Sequence, residues 1–149
     1  MNIQRYHHMP TEQMMALLLT ADPDKSEVLS YLRHSIILVC SDDQLCIGIA
    51  VLSTLKNAFE LKNIAVAEHH QGKGIAKQII ADVKRIAKEL GAKRIEVGTG
   101  NSSLSQLALY QKCGFRMDHI EPDFFKPYPE PIYENGIRCL DKVWLSAEL

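Results

Sequence analysis

Residues Ile64-Ala65-Val66 followed by Gln71-Gly72-Lys73-Gly74-Ile75-Ala76 constrain this chain more than any other stretch. They read as a strand, a short polar connection and a glycine-bearing turn that opens a helix. Glycines on both sides of Lys73 let backbone N–H groups converge on one point without Cβ obstruction. The helix behind them adds its own unpaired N–H groups and the positive end of its dipole. The combination predicts a pocket for a phosphate or pyrophosphate.

The common nucleotide motifs do not explain this turn. A P-loop needs four residues between its first glycine and a Gly-Lys-Ser/Thr ending, and no Ser or Thr follows Lys73. A dinucleotide fingerprint needs a third glycine where Lys77 stands.

The rest of the chain reads as alternating short elements. Residues 2 to 7 form an opening strand. Met9-Pro10 starts a helix through Leu19, with proline in its first turn, and Asp22-Pro23 starts a second to about Leu32, with Asp22 as cap. Residues 35 to 40 and 45 to 54 make a hairpin around Asp42-Asp43-Gln44, and 58 to 67 a further strand. Residues 75 to 90 show the clearest helical period: Ile75, Ile79, Ile80, Val83, Ile86, Ala87 and Leu90 on one face, with Lys77, Lys84 and Lys88 opposite. Gly91 ends that helix. A strand at 94 to 98 completes a strand–helix–strand unit, which predicts a parallel pair with a right-handed crossover. A loop at 99 to 101, a helix at 102 to 112 ended by Gly114, and strands at 115 to 120 and 138 to 145 follow. Between the last two, residues 121 to 136 hold Pro122, Pro127, Pro129 and Pro131 among Phe124, Phe125, Tyr128 and Tyr133. Prolines at that density exclude a helix or central strand, and the aromatics argue for an ordered, irregular loop.

A length of 149 residues and an apolar fraction of 46% fit a single domain spanning 1–149. The net charge of −1 supplies no global basic field for nucleic acid. The apolar run from Met14 to Leu19 is too short to span a bilayer, and Glu12 rather than a basic segment precedes it, so a cytoplasmic location is expected by default. Cys40, Cys46, Cys113 and Cys139 form no CxxC pair and read as reduced, buried thiols. His69-His70 has no evident third ligand, so no metal is expected.

A second motif narrows the reading. Residues 101 to 115, NSSLSQLALYQKCGF, form a short helix with Asn101 before it, Tyr110 near its end, and Gly114-Phe115 after it. Together with Gln71-x-x-Gly74-x-Ala76, this resembles the GNAT superfamily of N-acetyltransferases over about residues 45 to 120. The resemblance implies an α+β fold, with a mixed, mostly antiparallel sheet, a central splayed parallel pair, and helices on both faces. It implies acetyl-CoA as co-substrate, without metal, and direct acetyl transfer to a primary amine of a small molecule or a peptide or protein lysine. Dimers are common in the family, so a homodimer is a further expectation.

The resemblance also implies roles. Backbone amides of Gln71, Gly72, Gly74, Ile75 and Ala76 would hold the pyrophosphate, with Lys73 and Lys77 either adding charge or lying solvated. Ile64 and Val66 would pair with the pantetheine arm like a neighbouring strand, the Ile64 amide polarising the acetyl carbonyl. Asn101 would bond that arm, or simply cap its helix. Tyr110 would donate a proton to the departing thiolate, whose acid has a pKa of about 8.5 on the cysteine model. Glu60 would take a proton from the attacking ammonium, or else pair with Lys62, with which strand alternation places it on one face together with Ile64. The acidic, aromatic loop would be a wall for a cationic amine, or a packing cover or dimer contact. Cys113 ends a helix with no histidine beside it and reads as structural. A non-catalytic acyl-CoA sensor and an oligomeric interaction protein built on the proline–aromatic loop are the competing classes.

Overall fold

The computed structural model describes residues 1–54 and 58–149. Its organising feature is a seven-strand sheet. In chain order the strands are β1 (Asn2–Tyr6), β2 (Ser35–Asp42), β3 (Leu45–Ser53), β4 (Phe59–Val66), β5 (Arg94–Gly100), β6 (Arg116–Glu121) and, after a two-strand excursion of β7 (Tyr133–Glu134) and β8 (Ile137–Arg138), β9 (Lys142–Glu148). In space they run β1-β2-β3-β4-β5-β9-β6. Every neighbouring pair is antiparallel except β4 and β5, the parallel pair expected from the strand–helix–strand unit.

Among the described residues, four helices cover the two faces: α1 (Glu12–Ala21), α2 (Lys25–Leu32), α3 (Ile75–Glu89) and α4 (Leu104–Lys112). One core joins the α3 side of the sheet through Leu38, Ile47, Ile79, Ile80, Val83, Ile95 and Leu145, and a second joins α1 and α2 to the other face through Leu18, Val28, Ile49 and Val51. Each fully buried aliphatic side chain contributes about 1.5–3 kcal/mol relative to exposure. The fold is the α+β, mixed-sheet architecture expected, with helices on both faces.

Local chemistry moves several boundaries. Both proline-marked helices begin later than the prolines suggest. Thr11, not Met9, caps α1, its Oγ1 accepting from Met14 N at 3.2 Å, and Pro10 stands outside. Asp24, not Asp22, caps α2 by accepting from Glu27 N at 3.1 Å, while Asp22 accepts from Asp24 N in a local turn. The 42–44 turn is tight, with Asp43 and Gln44 at φ of 48° and 67°, the left-handed pair that two-residue hairpins need. β5 runs two residues past Gly98 because its ladder with β9 continues to Gly100↔Lys142. The final strand begins at Lys142 rather than Arg138, since residues 133–138 fold back as the β7–β8 ribbon. Leu90, assigned to the apolar face of α3, is its C-cap and 51% exposed. Lys84 is not a solvated face residue: its Nζ donates to the Cys113 carbonyl at the C-terminal end of α4 and lies 5.0 Å from the Phe115 ring.

A bulge in β4 changes which residues share a face. Leu61 pairs with Leu52 and Asn63 with Val51, leaving Lys62 as an extra residue. Leu61, Ile64 and Val66 therefore all belong to the α3-side core, whereas Ala65 joins the α1–α2 core. The expected alignment of Glu60, Lys62 and Ile64 on one face does not survive this insertion, because one extra residue inverts the alternation beyond it.

Candidate active site at the β4–β5 gap

The parallel pair is short. Phe59 pairs with Ile95 and Glu60 with Glu96, and the register stops there, although β4 continues to Val66 and β5 to Gly100. Beyond Glu60 the strands diverge. On the other edge of β4 the ladder with β3 persists, and just past its end Ala67 N donates to Ile47 O at 2.8 Å. Alternation of an antiparallel ladder then turns the amides of Ile64 and Val66 away from β3, toward the gap. Two main-chain N–H groups of a central strand thus face open space, where an extended ligand can pair with them.

The glycine turn closes one end of this gap. A 3₁₀ turn at Glu68–His70 leads into Gly72 and Gly74, with φ of 76° and 80°. Left-handed backbone at these two positions is what glycine supplies without strain. A Cβ at either would meet no atom within 4 Å, so the turn stands open rather than packed. Gly74 caps α3, whose first amides point into the same space. Gln71 Nε2 donates to Val66 O at 3.0 Å, bracing the turn against the strand end.

The result is a cavity of about 440 Å³. Ile64, Val66, Gln71, Gly72, Gly74, Ile75 and Ala76 line it, as the sequence motif requires. Lys77 lines it as well; Lys73 is exposed and does not. Its far wall is α4, through Ser105, Gln106 and Leu109, none of them singled out from sequence. Ser105 and Leu109, four residues apart, form one helical stripe, and its partnership with the strand gap is a tertiary fact. A cradle of open amides with one lysine at a helix N-terminus suits a pyrophosphate, and the strand gap suits an extended arm.

A second cavity of about 180 Å³ opens on the other side of the gap. It shares Ile64 and Gln106 with the first and is lined also by Lys62, Asn63, Thr99, Tyr110 and Glu134. Tyr110 is the single buried residue of α4, 5% exposed, its ring tilted against Phe115 at 5.9 Å between centroids. Among the described residues its hydroxyl has no hydrogen-bond partner, and burial pushes its pKa up to about 12. It is a protonated hydroxyl on the wall of the second cavity, the one that shares Ile64 and Gln106 with the first.

Glu60 lines neither cavity. It sits beside the second, ion-paired at 3.4 Å with Lys62, and faces Glu96 across the short parallel register. Lys62 Nζ also lies 5.8 Å from the Tyr31 ring. Asn63 is held in a buried chain: Nδ2 donates to Leu18 O and to Tyr31 Oη, both at 3.0 Å, and Tyr31 Oη donates to Asp22 Oδ2 at 3.3 Å. This chain joins β4 to the α1–α2 corner behind the second cavity.

Asn101 does not line the first cavity, and it does not cap α4, which begins after Ser103. Its Oδ1 accepts from Leu140 N at 2.8 Å and Asp141 N at 3.0 Å, and its Nδ2 donates to Arg138 O. Asn101 fastens the return of the long loop to the end of β5. That loop is tied to the start of α4 and packs on itself. Glu134 accepts from Ser102 and Ser103, each at 2.9 Å, and Phe125 packs edge-on to Phe124 and Tyr128. Lys142 Nζ lies 4.5 Å from the Phe124 ring of the loop and 4.3 Å from the Trp144 ring of its own strand. Burial lowers the pKa of Lys142. His69 and His70 lie in the 3₁₀ turn, His70 against the first cavity.

The sequence and the fold have counterparts in known proteins. Residues 4–115 match the acetyltransferase (GNAT) family model. The chain is 47% identical over 140 residues to the uncharacterized N-acetyltransferase YvbK of Bacillus subtilis, covering 93% of this chain and 90% of that protein. It superposes with a TM-score of 0.92 and 43% identity on a GNAT family acetyltransferase from Elizabethkingia anophelis with acetyl-CoA bound, over 99% of this chain and 97% of that one. A protein described as the IAA acetyltransferase of Bacillus cereus matches with a TM-score of 0.90 and 45% identity over 99% of each chain. The chain therefore belongs to the acetyltransferase (GNAT) family, and it is an acetyl-CoA-dependent N-acetyltransferase.

Proposed function

We propose that this enzyme moves the acetyl group of acetyl-CoA directly to the primary amine of a small-molecule acceptor, both substrates being bound at once. The observation that carries the proposal is the pair of cavities meeting at Ile64, Gln106 and the Tyr110 side of the β4–β5 gap. Acetyl-CoA supplies an activated acetyl group as a thioester. The amides at Gln71, Gly72, Gly74, Ile75 and Ala76 hold the pyrophosphate, assisted by Lys77. Ile64 and Val66 orient the extended arm through their outward amides, and Ile64 N–H stabilises charge on the carbonyl oxygen. Tyr110 gives its proton, or a hydrogen bond, to the departing sulfur; its raised pKa keeps the proton in place until then.

The second cavity takes the acceptor. An alkylammonium with a pKa of about 10.4 must lose a proton before it can attack. Glu60 accepts that proton, through water, since Lys62 rather than Glu60 lines the cavity wall. A volume of about 180 Å³ favours a small acceptor or a single extended side chain over a folded surface. A relative named for a small acceptor, at 45% identity, supports the same choice. Release of free CoA across a panel of amines, amino acids and lysine peptides tests the proposal. Turnover is expected with a subset of small amines and is reduced in Tyr110→Phe. Turnover with lysine peptides but with none of the small amines would overturn the choice of a small-molecule acceptor.

A further inference from the structure

β6 is the outer edge of the sheet, and all six of its residues are exposed. Met117 and Ile120 are 58% and 59% exposed, an apolar pair on an open strand edge. Among the described residues, no main-chain hydrogen bond outside the β9 ladder involves residues 116–121. The outward N–H and C=O groups of β6 are therefore available to another strand, a condition that proteins normally blunt.

The sequence of β6, Arg-Met-Asp-His-Ile-Glu, is complementary to its own reverse. Laid antiparallel on a second copy about a two-fold axis at its centre, Arg116 faces Glu121, Met117 faces Ile120 and Asp118 faces His119. Arg116 and Glu121 bring opposite charges together, and the apolar residues meet each other. A two-fold axis perpendicular to a sheet preserves its faces, so opposed residues must share a face in their own chain. In a regular strand, residues 116 and 121 would lie on opposite faces, and so would 117 and 120. The register break between Met117 and His119 removes that obstacle. Arg116 lies opposite Ser146 and Glu121 opposite Lys142, both on the face of β9 away from its buried residues. Met117 lies opposite Leu145 and Ile120 opposite Val143, both on the buried-core face. The bulge, with Asp118 as its extra residue, thus puts Arg116 and Glu121 on one face and Met117 and Ile120 on the other.

We propose that β6 is a self-association edge, pairing antiparallel with β6 of a second copy of this chain to join the two seven-strand sheets into one. The occupant is another copy because the strand's own charge order, corrected by its own bulge, is what matches it. Arg116 has no ion-pair partner among the described residues, whereas Asp118 already pairs with Arg94 and with His119 within the chain. Arg116 with Glu121 is accordingly the pair to exchange.

Sedimentation velocity on the full chain tests this. The wild type is expected to form a dimer with increasing concentration. Arg116→Glu alone and Glu121→Arg alone place like charges opposite each other twice per dimer and are expected to weaken the dimer at least about tenfold. Mixing the two variants restores both pairs in one heterodimer, which is expected to form near wild-type strength. This rescue separates pairing from folding, because a misfolded variant would not be rescued. A wild type that stays monomeric, a dimer indifferent to Arg116→Glu, or a mixture that fails to associate would each overturn the proposal.

Discussion

Glu60 and Lys62 form a 3.4 Å ion pair at the bulge in β4, with Glu60 beside the second cavity and Lys62 on its wall. The bulge that creates this pair also turns Ile64 to the other face of the sheet. The residues proposed as base and as oxyanion donor thus sit on one strand, four residues apart, with their side chains on opposite faces.

If Glu60 takes the acceptor's proton, Glu60→Gln lowers kcat/KM by about 10²-fold at neutral pH, the usual span of a single general base. The deficit shrinks as the pH approaches the amine's own pKa of about 10.4, because the acceptor then arrives deprotonated. A full pH profile of both proteins checks this. A loss of the same size at every pH would assign Glu60 to packing or charge balance instead.

Tyr110 offers a test with a defined sign. Burial raises its pKa from 10.0 to about 12. A group whose pKa is raised on folding contributes stability that is present below its unfolded value and lost as the pH climbs through its folded value. Wild-type stability is therefore expected to fall between about pH 10 and 12, and Tyr110→Phe to remove that part of the decline. The same shift keeps the hydroxyl protonated during catalysis, so the alkaline limb of kcat should not begin below pH 10. Tyr110→Phe is expected to lower kcat by about 10²-fold with little change in acetyl-CoA affinity, measured by turnover and by calorimetry.

The buried chain from Asn63 through Tyr31 to Asp22 makes a prediction about stability. Asn63→Leu removes two donated bonds, while the Leu18 carbonyl keeps the Asp22 N–H at 3.1 Å, and is expected to cost about 1–3 kcal/mol. Tyr31→Phe removes only the hydroxyl and is expected to cost less, about 1 kcal/mol. Because both changes break the Asn63–Tyr31 bond, the double variant should be more stable than the sum of the single losses implies. Denaturant melts of the three variants supply the comparison. Additive losses would show that the two side chains are energetically independent.

How much of this was legible before any coordinates depended on how local the cause was. The phosphate turn was legible because Gly72 and Gly74 carry their conformational reason in their own identity. Helix α3 was legible because its apolar stripe repeats over four turns. Tyr110 stood out through its place before Gly114-Phe115. Asn101 was legible as a special residue, but its partners lie nearly forty residues away at Leu140 and Asp141, and no local pattern announces them. The second cavity was illegible for the same reason, since Asn63, Thr99 and Glu134 meet only when three separate segments do. The β4 bulge was missed because alternation is assumed until a ladder shows otherwise. The contact of Lys142 with Phe124 has no sequence signature, because the two lie on separate segments that only the fold brings together.

Two glycines separate binding from folding. Gly74 holds φ of 80° at the start of α3, and an added Cβ there would touch nothing within 4 Å. Gly74→Ala therefore acts through backbone strain alone, about 1–2 kcal/mol, released by relaxing the turn whose amides face the pyrophosphate. Acetyl-CoA affinity is expected to fall about tenfold, with a small drop in melting temperature. Gly48 has the opposite character. It lies on β3 beneath α3, and a Cβ there would stand 2.8 Å from Ile79 Cδ1 and 3.4 Å from Ile75 Cγ2 and Cys40 Cβ. Gly48→Val forces the helix off the sheet, at about 1–3 kcal/mol or more for overpacking, and the phosphate turn moves with it because Ile75 is the first residue of α3. Calorimetric titration and thermal melts of both variants would separate the two effects. A Gly74→Ala protein that binds acetyl-CoA like wild type would show that the left-handed turn is not what holds the pyrophosphate.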